Sequence, residues 1–447
     1  MSADLVGQLF EKQTFLMLLS PKASAELKTE NLGDSTVSEA SRWSASRADG
    51  RCFVFVTAPF GPFSRRLARE LRAQGARCKR VLVNGGDVMD WGLREAALYR
   101  GGPADWSRWI ADYFKREKAT DLIIHGAAYS HAHQAANEAR RLGMKVHVFE
   151  EGYFRPHWVT LERNGVNCTS SLPKDPEIYR RAAAHSRMAP FAPAGKITPA
   201  GVRRLIAFHT NYILGSPLFP RFPLPYRYSI LSQMNGHIRR YLKQTIARPA
   251  TERLVQSILA DPRPLFLALL QRPGDAQLTH DANFGEMCDF VDHVVKSFVA
   301  HAPADARLCF KVHPLDQGIE PHERTVRRAA EAAGVSDRVT CVDGGHFPTM
   351  VRAAVGVISV NSTGGLSAIE FGRPTITLGS AIYSLPGLTH QAGLDRFWNQ
   401  PEAPDANLLV AFRAVVMAQT QINGDFSTPA GIALVAPEAA RRMIAAQ

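Results

Sequence analysis

VGVISVNSTGGL, residues 355–366, is a short apolar strand that runs straight into Asn-Ser-Thr-Gly-Gly and then into a helical pattern. A parallel-sheet protein builds a phosphate site in this way. Hydroxyls and backbone N–H groups gather at a helix N-terminus, and glycines let the chain approach a ligand, so an anion is held by hydrogen bonds and by the helix dipole. Asn361, Ser362, Thr363, Gly364 and Gly365 are therefore candidate nucleotide or phosphate contacts. A turn of this composition also occurs as a plain tight connection.

Outward from that stretch the chain alternates short β-branched or aromatic runs with helix-length amphipathic segments. LFLALL from 265, LCFKV at 308–312, VTCV at 339–342 and TITL at 375–378 predict strands around it, with helices over 286–300 and 322–333. An earlier series holds CFVFV at 52–56, VLV at 81–83, DLIIH at 121–125 and KVHVF at 145–149, with a helix over 131–141 between the last two. Strand and helix in alternation mean a parallel sheet covered by helices. Two such series predict an α/β protein of GT-B type, with two Rossmann-like parallel-sheet domains facing a cleft and ligands beyond the carboxyl ends of the strands. The expected division is a flexible lead-in over 1–48, an acceptor domain over 49–194, a basic aromatic connector over 195–258, a nucleotide-sugar domain over 259–400 and a helical segment over 401–447.

Other polar residues fall at predicted strand ends. Glu150 and Glu151 follow KVHVF, and paired carboxylates suit general acid or base work because mutual repulsion and burial raise one pKa; a solvated acidic loop is the plain alternative. His313 and Pro314 follow LCFKV, with Lys311 two residues earlier, and a histidine there can bond a phosphate oxygen. LLQRPGDAQL, 269–278, offers Gln271, Asp275 and Gln277; Asp275 fits a nucleophile or base and equally an ordinary Pro-Gly turn. Gly61 and Pro62 after the first strand, and Asn84, Gly85, Gly86 and Asp87 after the second, are candidate acceptor or sugar contacts, as is Arg155 in YFRPHW. No histidine, cysteine and carboxylate spacing marks a metal site.

The 53 Lys and Arg against 41 Asp and Glu give a net charge of +12, which favours an anionic partner. No nucleic-acid-binding signature is present, so nucleic acid is not expected. Ten of the basic residues lie between 195 and 254, among several Phe and Tyr and beside a single acid, Glu252, a composition suited to an anionic membrane surface or to a solvated connector. The six cysteines form no C-x-x-C pair, and Cys52, Cys288, Cys309 and Cys341 read as buried thiols of a cytoplasmic protein. Asp4, Glu11 and Lys12 interrupt the segment a signal peptide would need, and no apolar run reaches the length of a membrane span.

TAPFGPFSRRLARELRAQG, VNGGD, VHVFEEGYFRPHWVTLE, Gln271 with Asp275 and Gln277, KVHP and VNSTGGLSAIEFGRP together resemble the capsular polysaccharide β-Kdo transferases of Gram-negative bacteria, of KpsS/LipB type. The order of paired acids with glycine, then His-Pro, then Ser-Thr is also similar to that of bacterial CMP-sialic acid transferases. The resemblance spans roughly 52–385. It implies a CMP-Kdo donor and no cofactor, with His313 and Ser362 or Thr363 on the CMP phosphate. It further implies Glu151 or Glu150 as general acid or base, Asp275 as the nucleophile of a retaining double displacement, and a lyso-phosphatidylglycerol-type acceptor. The implied place is the inner face of the inner membrane, beside other capsule biosynthesis and export proteins. One departure stands out: after DLIIH the family carries a Gly-Asp-x-Arg-like motif, where this chain reads His125-Gly126-Ala127-Ala128-Tyr129-Ser130. Alternative readings are a GT-B transferase with another CMP- or UDP-sugar, or a non-catalytic scaffold of capsule assembly.

Overall fold

The computed structural model describes residues 48–126, 130–186, 191–192, 198–221, 228–272 and 284–445. The lead-in up to 47 lies outside the described residues, as do Asp275 and Gln277. The principal elements begin with β1 (Cys52–Phe55), α1 (Phe63–Ala73), β2 (Arg77–Leu82), α2 (Gly85–Trp91), β3 (Ala96–Leu98), α3 (Pro103–Glu117), β4 (Asp121–His125), α4 (Ser130–Arg141), β5 (Lys145–Glu151) and β6 (Trp158–Arg163). Two longer helices are α5 (Pro199–Leu214) and α6 (Ile230–Ala260). Then come β7 (Leu265–Leu269), α7 (Met287–His301), β8 (Arg307–Lys311), α8 (His322–Ala332), β9 (Val339–Val342), β10 (Gly356–Ser359), α9 (Thr363–Glu370), β11 (Thr375–Thr377), β12 (Gln421–Asn423) and α10 (Pro429–Ala445).

The expected α/β class holds: the chain forms two α/β units, each on a largely parallel sheet. The first unit draws its described residues from 1–164, 190–223 and 422–447, the second from 165–189 and 224–421. In the first, the strand order is β12-β6-β5-β4-β1-β2-β3. Strands β1 to β5 pair in parallel, and β6 runs antiparallel to β5. β1 is buried along its whole length, as a strand covered on both faces must be. α1 buries Phe63, Leu67 and Leu71, one residue per helical turn, against a core that also holds Phe55, Phe149 and Val435. In the second unit the order is β11-β10-β7-β8-β9, all parallel. Its central strands pack on Phe290, Val294 and Phe298 of α7.

The division of the chain differs from the expected one. Residues 165–186 fall in the second unit, and the expected connector is shared, α5 going to the first unit and α6 to the second. The C-terminal segment returns to the first unit, where β12 extends the sheet beside β6 and α10 buries Ile432, Val435, Ala439 and Met443 in the α1 core. Apolar periodicity marks such a helix but not which sheet it covers.

The basic connector is also less free than its composition implies. Arg204 pairs with Asp90 at 2.8 Å, Arg240 with Asp343 at 2.6 Å, Lys243 with Glu323 at 2.6 Å and Arg248 with Glu252 at 2.8 Å. Phe208 and Phe219 are buried, while the large exposed hydrophobic side chains described on α6 carry no ring: Leu231, Met234, Leu242, Ile246 and Leu254. No helix among the described residues is long and apolar enough to cross a membrane. Cys52, Cys78 and Cys309 are buried, while Cys288 and Cys341, expected inside, are partly exposed, Cys341 while packed against the core of the second unit. All six are free thiols.

Candidate functional site

The register of the second sheet brings three predicted residues level. Leu269 of β7 pairs with Lys311 of β8 and with Ser359 of β10. Gln271, His313 and Asn361 each stand two residues beyond that row, at the carboxyl edge where ligands bind in such sheets. Ser362 is the N-cap of α9, its Oγ accepting the N–H of Gly364 at 3.1 Å, so the cap leaves the hydroxyl hydrogen available to an anion. Its own N–H donates to Ser359 Oγ at 3.1 Å. Thr363 opens the first turn of the helix, where the dipole is positive.

The two glycines have separate reasons. A Cβ at position 365 would stand 2.4 Å from the Tyr383 hydroxyl, and one at 364 would stand 3.0 Å from Leu269 Cδ1. Gln271 was expected among acceptor or sugar contacts. Its buried amide accepts the N–H of Asn361 at 3.1 Å and donates to Asn361 Oδ1 at 2.8 Å, which fixes the loop. Lys311, expected on the phosphate, is buried and donates to the carbonyls of Gly344 and Gly345; burial pushes its pKa down to about 8. Its ammonium ties β8 to the loop after β9.

His313 is the better-placed group. Its Nδ1 accepts the N–H of Leu315 at 3.0 Å, so the neutral ring carries its proton on Nε2, as a donor. Pro314 passes its carbonyl to Arg240, which also bonds the carbonyls of His313 and Asp316. Arg272, next to Gln271, buries Nε without a hydrogen-bond partner among the described residues. Its charge and that of Arg240 add to burial in lowering the pKa of His237. Neither arginine was singled out from sequence; only the fold separates them from the other basic residues. A histidine N–H, two hydroxyls, a helix N-terminus and the nearby Arg272 guanidinium make this edge suited to an anion.

In the first unit, Glu150 and Glu151 are the last two residues of β5, opposite Thr160 and Val159 of β6. Neighbours along a strand point to opposite faces, so the two carboxylates do not act together. Glu151 shares its face with Phe149, which pairs with His125, and its charge raises the His125 pKa against burial, which holds it at about 4. Nε2 of His125 is buried with no partner among the described residues, its ring edge-on to Phe426 at 5.1 Å. Gly152 has a close-approach role: a Cβ there would stand 2.3 Å from the Trp158 carbonyl oxygen.

The remaining predicted contacts serve the scaffold. Asn84 caps α2 by accepting the Asp87 N–H at 2.8 Å, and Asp87 accepts from Arg80 at 2.9 Å. A Cβ on Gly85 would stand 2.1 Å from Asn211 O, and one on Gly86 2.5 Å from the Phe208 ring, so these glycines admit α5 rather than an acceptor. Gly61 has φ +106° and donates its N–H to the buried Asp90 at 2.7 Å, while Pro62 precedes α1. Arg155 is exposed and donates to the Gly152 carbonyl at 3.3 Å.

Residues 120–427 match the family described as capsule polysaccharide biosynthesis protein. Similar proteins include the capsule polysaccharide export protein KpsS of Escherichia coli, 28% identical over 84% of this chain and 96% of that protein. The capsule polysaccharide modification protein LipB of Neisseria meningitidis serogroup A is 30% identical over 83% of this chain and 91% of that protein. Among solved structures, the beta Kdo 2,7 transferase of KpsC from Thermosulfurimonas dismutans aligns over 88% of this chain and 99% of its own, with TM-score 0.41 and 12% identity.

Proposed function

This chain belongs to the capsule polysaccharide biosynthesis family, and from that premise we propose that it is a glycosyltransferase moving Kdo from CMP-Kdo to a phosphatidylglycerol-type lipid, which starts the poly-Kdo linker of a capsular polysaccharide. The observation that carries the reading is the level row of Gln271, His313 and Asn361 beside the N-terminus of α9. His313 Nε2–H, the Ser362 and Thr363 hydroxyls and the first turn of α9 hold the donor phosphate and stabilise CMP as it leaves.

The chemistry is a double displacement. The Asp275 carboxylate attacks the anomeric carbon as the bond to the CMP phosphate breaks, giving a glycosyl-enzyme. The acceptor hydroxyl then attacks that carbon, its proton passes to Glu151, and the bond to Asp275 breaks with net retention. Glu151 is preferred to Glu150 because it stands on the His125 face. An anionic inner-membrane surface suits the acceptor, and α6 supports this with Leu242 and Ile246 exposed by 53% and 82% on the side that carries Arg239 and Arg253.

The test is incubation of the purified protein with a CMP-Kdo generating system and a fluorescent lyso-phosphatidylglycerol, read by mass spectrometry beside Asp275→Ala. A gain of one or more Kdo units, absent in the variant, is expected. No gain with CMP-Kdo confirmed present would refute the donor and acceptor assignment.

A further inference from the structure

Arg240 is 7% exposed, and its contacts account for every hydrogen it can donate. Nε donates to Asp343 Oδ2 at 3.0 Å, and Nη2 to Asp343 Oδ1 at 2.6 Å and to the His313 carbonyl at 3.0 Å. Nη1 donates to the carbonyls of Pro314 at 2.9 Å and Asp316 at 2.6 Å. A guanidinium has five N–H groups in a planar fork, and each has an acceptor here. No donor remains for a ligand. Arg240 therefore works on its surroundings, and what it grips is the backbone of the turn that carries His313.

The same helical face is shaped to that turn. One helical turn before Arg240, a Cβ on Gly236 would stand 2.4 Å from the Gln317 carbonyl oxygen; one turn after, Gln244 donates to Asp343 at 2.9 Å. Gly318, at φ +65°, leaves the space in which the Arg240 side chain begins. Asp316 returns its N–H to the His313 carbonyl at 3.0 Å, and Leu315 directs its N–H to His313 Nδ1. The carbonyls of 313, 314 and 316 converge on one cation, and the imidazole is oriented from inside the turn they define.

We infer that Arg240 is a positioning residue for donor-phosphate binding, setting the direction of His313 Nε2–H through the backbone of residues 313–316. The inference rests on the proposed use of His313 toward the donor phosphate. Lysine supplies a point charge without the fork, so Arg240→Lys keeps the charge and loses the simultaneous grip on three carbonyls and a carboxylate.

The experiment is calorimetric titration of CMP into the full chain, as wild type, Arg240→Lys, His313→Gln and the double variant, with a thermal melt of each. Arg240→Lys is expected to weaken CMP binding roughly ten- to a hundredfold. His313→Gln should lose a similar factor, and the double variant should lose no more than the weaker-binding single one, because both changes remove the same interaction. Losses that multiply, or wild-type affinity in Arg240→Lys, overturn the inference while leaving the nucleotide site intact. If Arg240→Lys does not fold, Asp343→Asn takes its place in the same cycle, since it loosens one edge of the fork. Failure of the wild type itself to bind CMP overturns the inference together with the donor reading on which it rests.

Discussion

The Tyr383 hydroxyl donates to the carbonyl of Ser362 across the space that a side chain at position 365 would fill. The first turn of α9 is thus pinned from outside by a fully buried phenol, whose pKa burial pushes well above the usual tyrosine range. Gly365→Ala should destabilise the protein by about 1–3 kcal/mol through overpacking. Tyr383→Phe should cost about 1 kcal/mol for the lost hydrogen bond. Combined, the two should cost less than their sum, since removing the hydroxyl frees the space. Urea unfolding of the three variants checks this, and strict additivity would refute it.

Asp121 is buried between Arg51, at 2.5 and 3.0 Å, His147 at 2.8 Å and Thr120 at 2.7 Å. Burial alone would raise its pKa, but the hydrogen bonds from His147 and Arg51 outweigh it and hold the carboxyl at about 2. A folded pKa below the unfolded 3.8 contributes stability that is complete above the unfolded value and is lost as pH falls through the folded one. Unfolding free energy should therefore decline between about pH 4 and 2. Asp121→Asn should flatten that decline and cost about 3–5 kcal/mol at neutral pH, by leaving a half-buried Arg51 without its counter-ion. A variant as stable as wild type at pH 7 would contradict the prediction.

Lys311 is shifted in the same direction, but in a cation, so its shift costs stability at neutral pH and the cost is relieved as pH rises. Its folded pKa, about 8, lies below the ordinary 10.5, so between those values the unfolded chain binds more protons and stability rises with pH. Denaturant midpoints at intervals from pH 7.5 to 10.5 should show an upward contribution that Lys311→Met lacks. Equal slopes in the two proteins would remove the lysine as the cause.

The carboxylates at the end of β5 should separate cleanly. Glu151→Gln is expected to lower kcat by about 10²–10⁴, as loss of a general acid or base does, whereas Glu150→Gln should stay within about tenfold of wild type. Initial rates of Kdo transfer with both variants decide it, and the reverse ranking would move the catalytic role to Glu150.

The sheets were legible where β-branched runs are dense: DLIIH and VTCV have in the structure the bounds read from sequence. β12 was not, because Gln-Ile-Asn carries no pattern of its own and becomes a strand only beside β6. His313, Ser362 and Thr363 lie past their strands as read, because position past a strand is a local property. VNGGD was read toward an acceptor because a glycine that admits a ligand and one that admits a helix look alike; the atoms that decide, Asn211 O and Phe208, come from α5. Arg240 was hidden among ten basic residues, since charge composition does not tell a solvated cation from one whose every donor is engaged inside the fold.

The return of β12 and α10 to the first unit has a consequence for how the chain comes into being. A ribosome delivers residues in order, and the first sheet lacks its β12 edge, with α1 lacking the apolar cover of α10, until residues 421–445 emerge. The second unit has all its described strands once Gln421 has been made. The unit that holds β1 is therefore completed only after the other has all its described strands, and a chain released between Gln421 and Pro429 carries those strands along with a first sheet with a bare hydrophobic face.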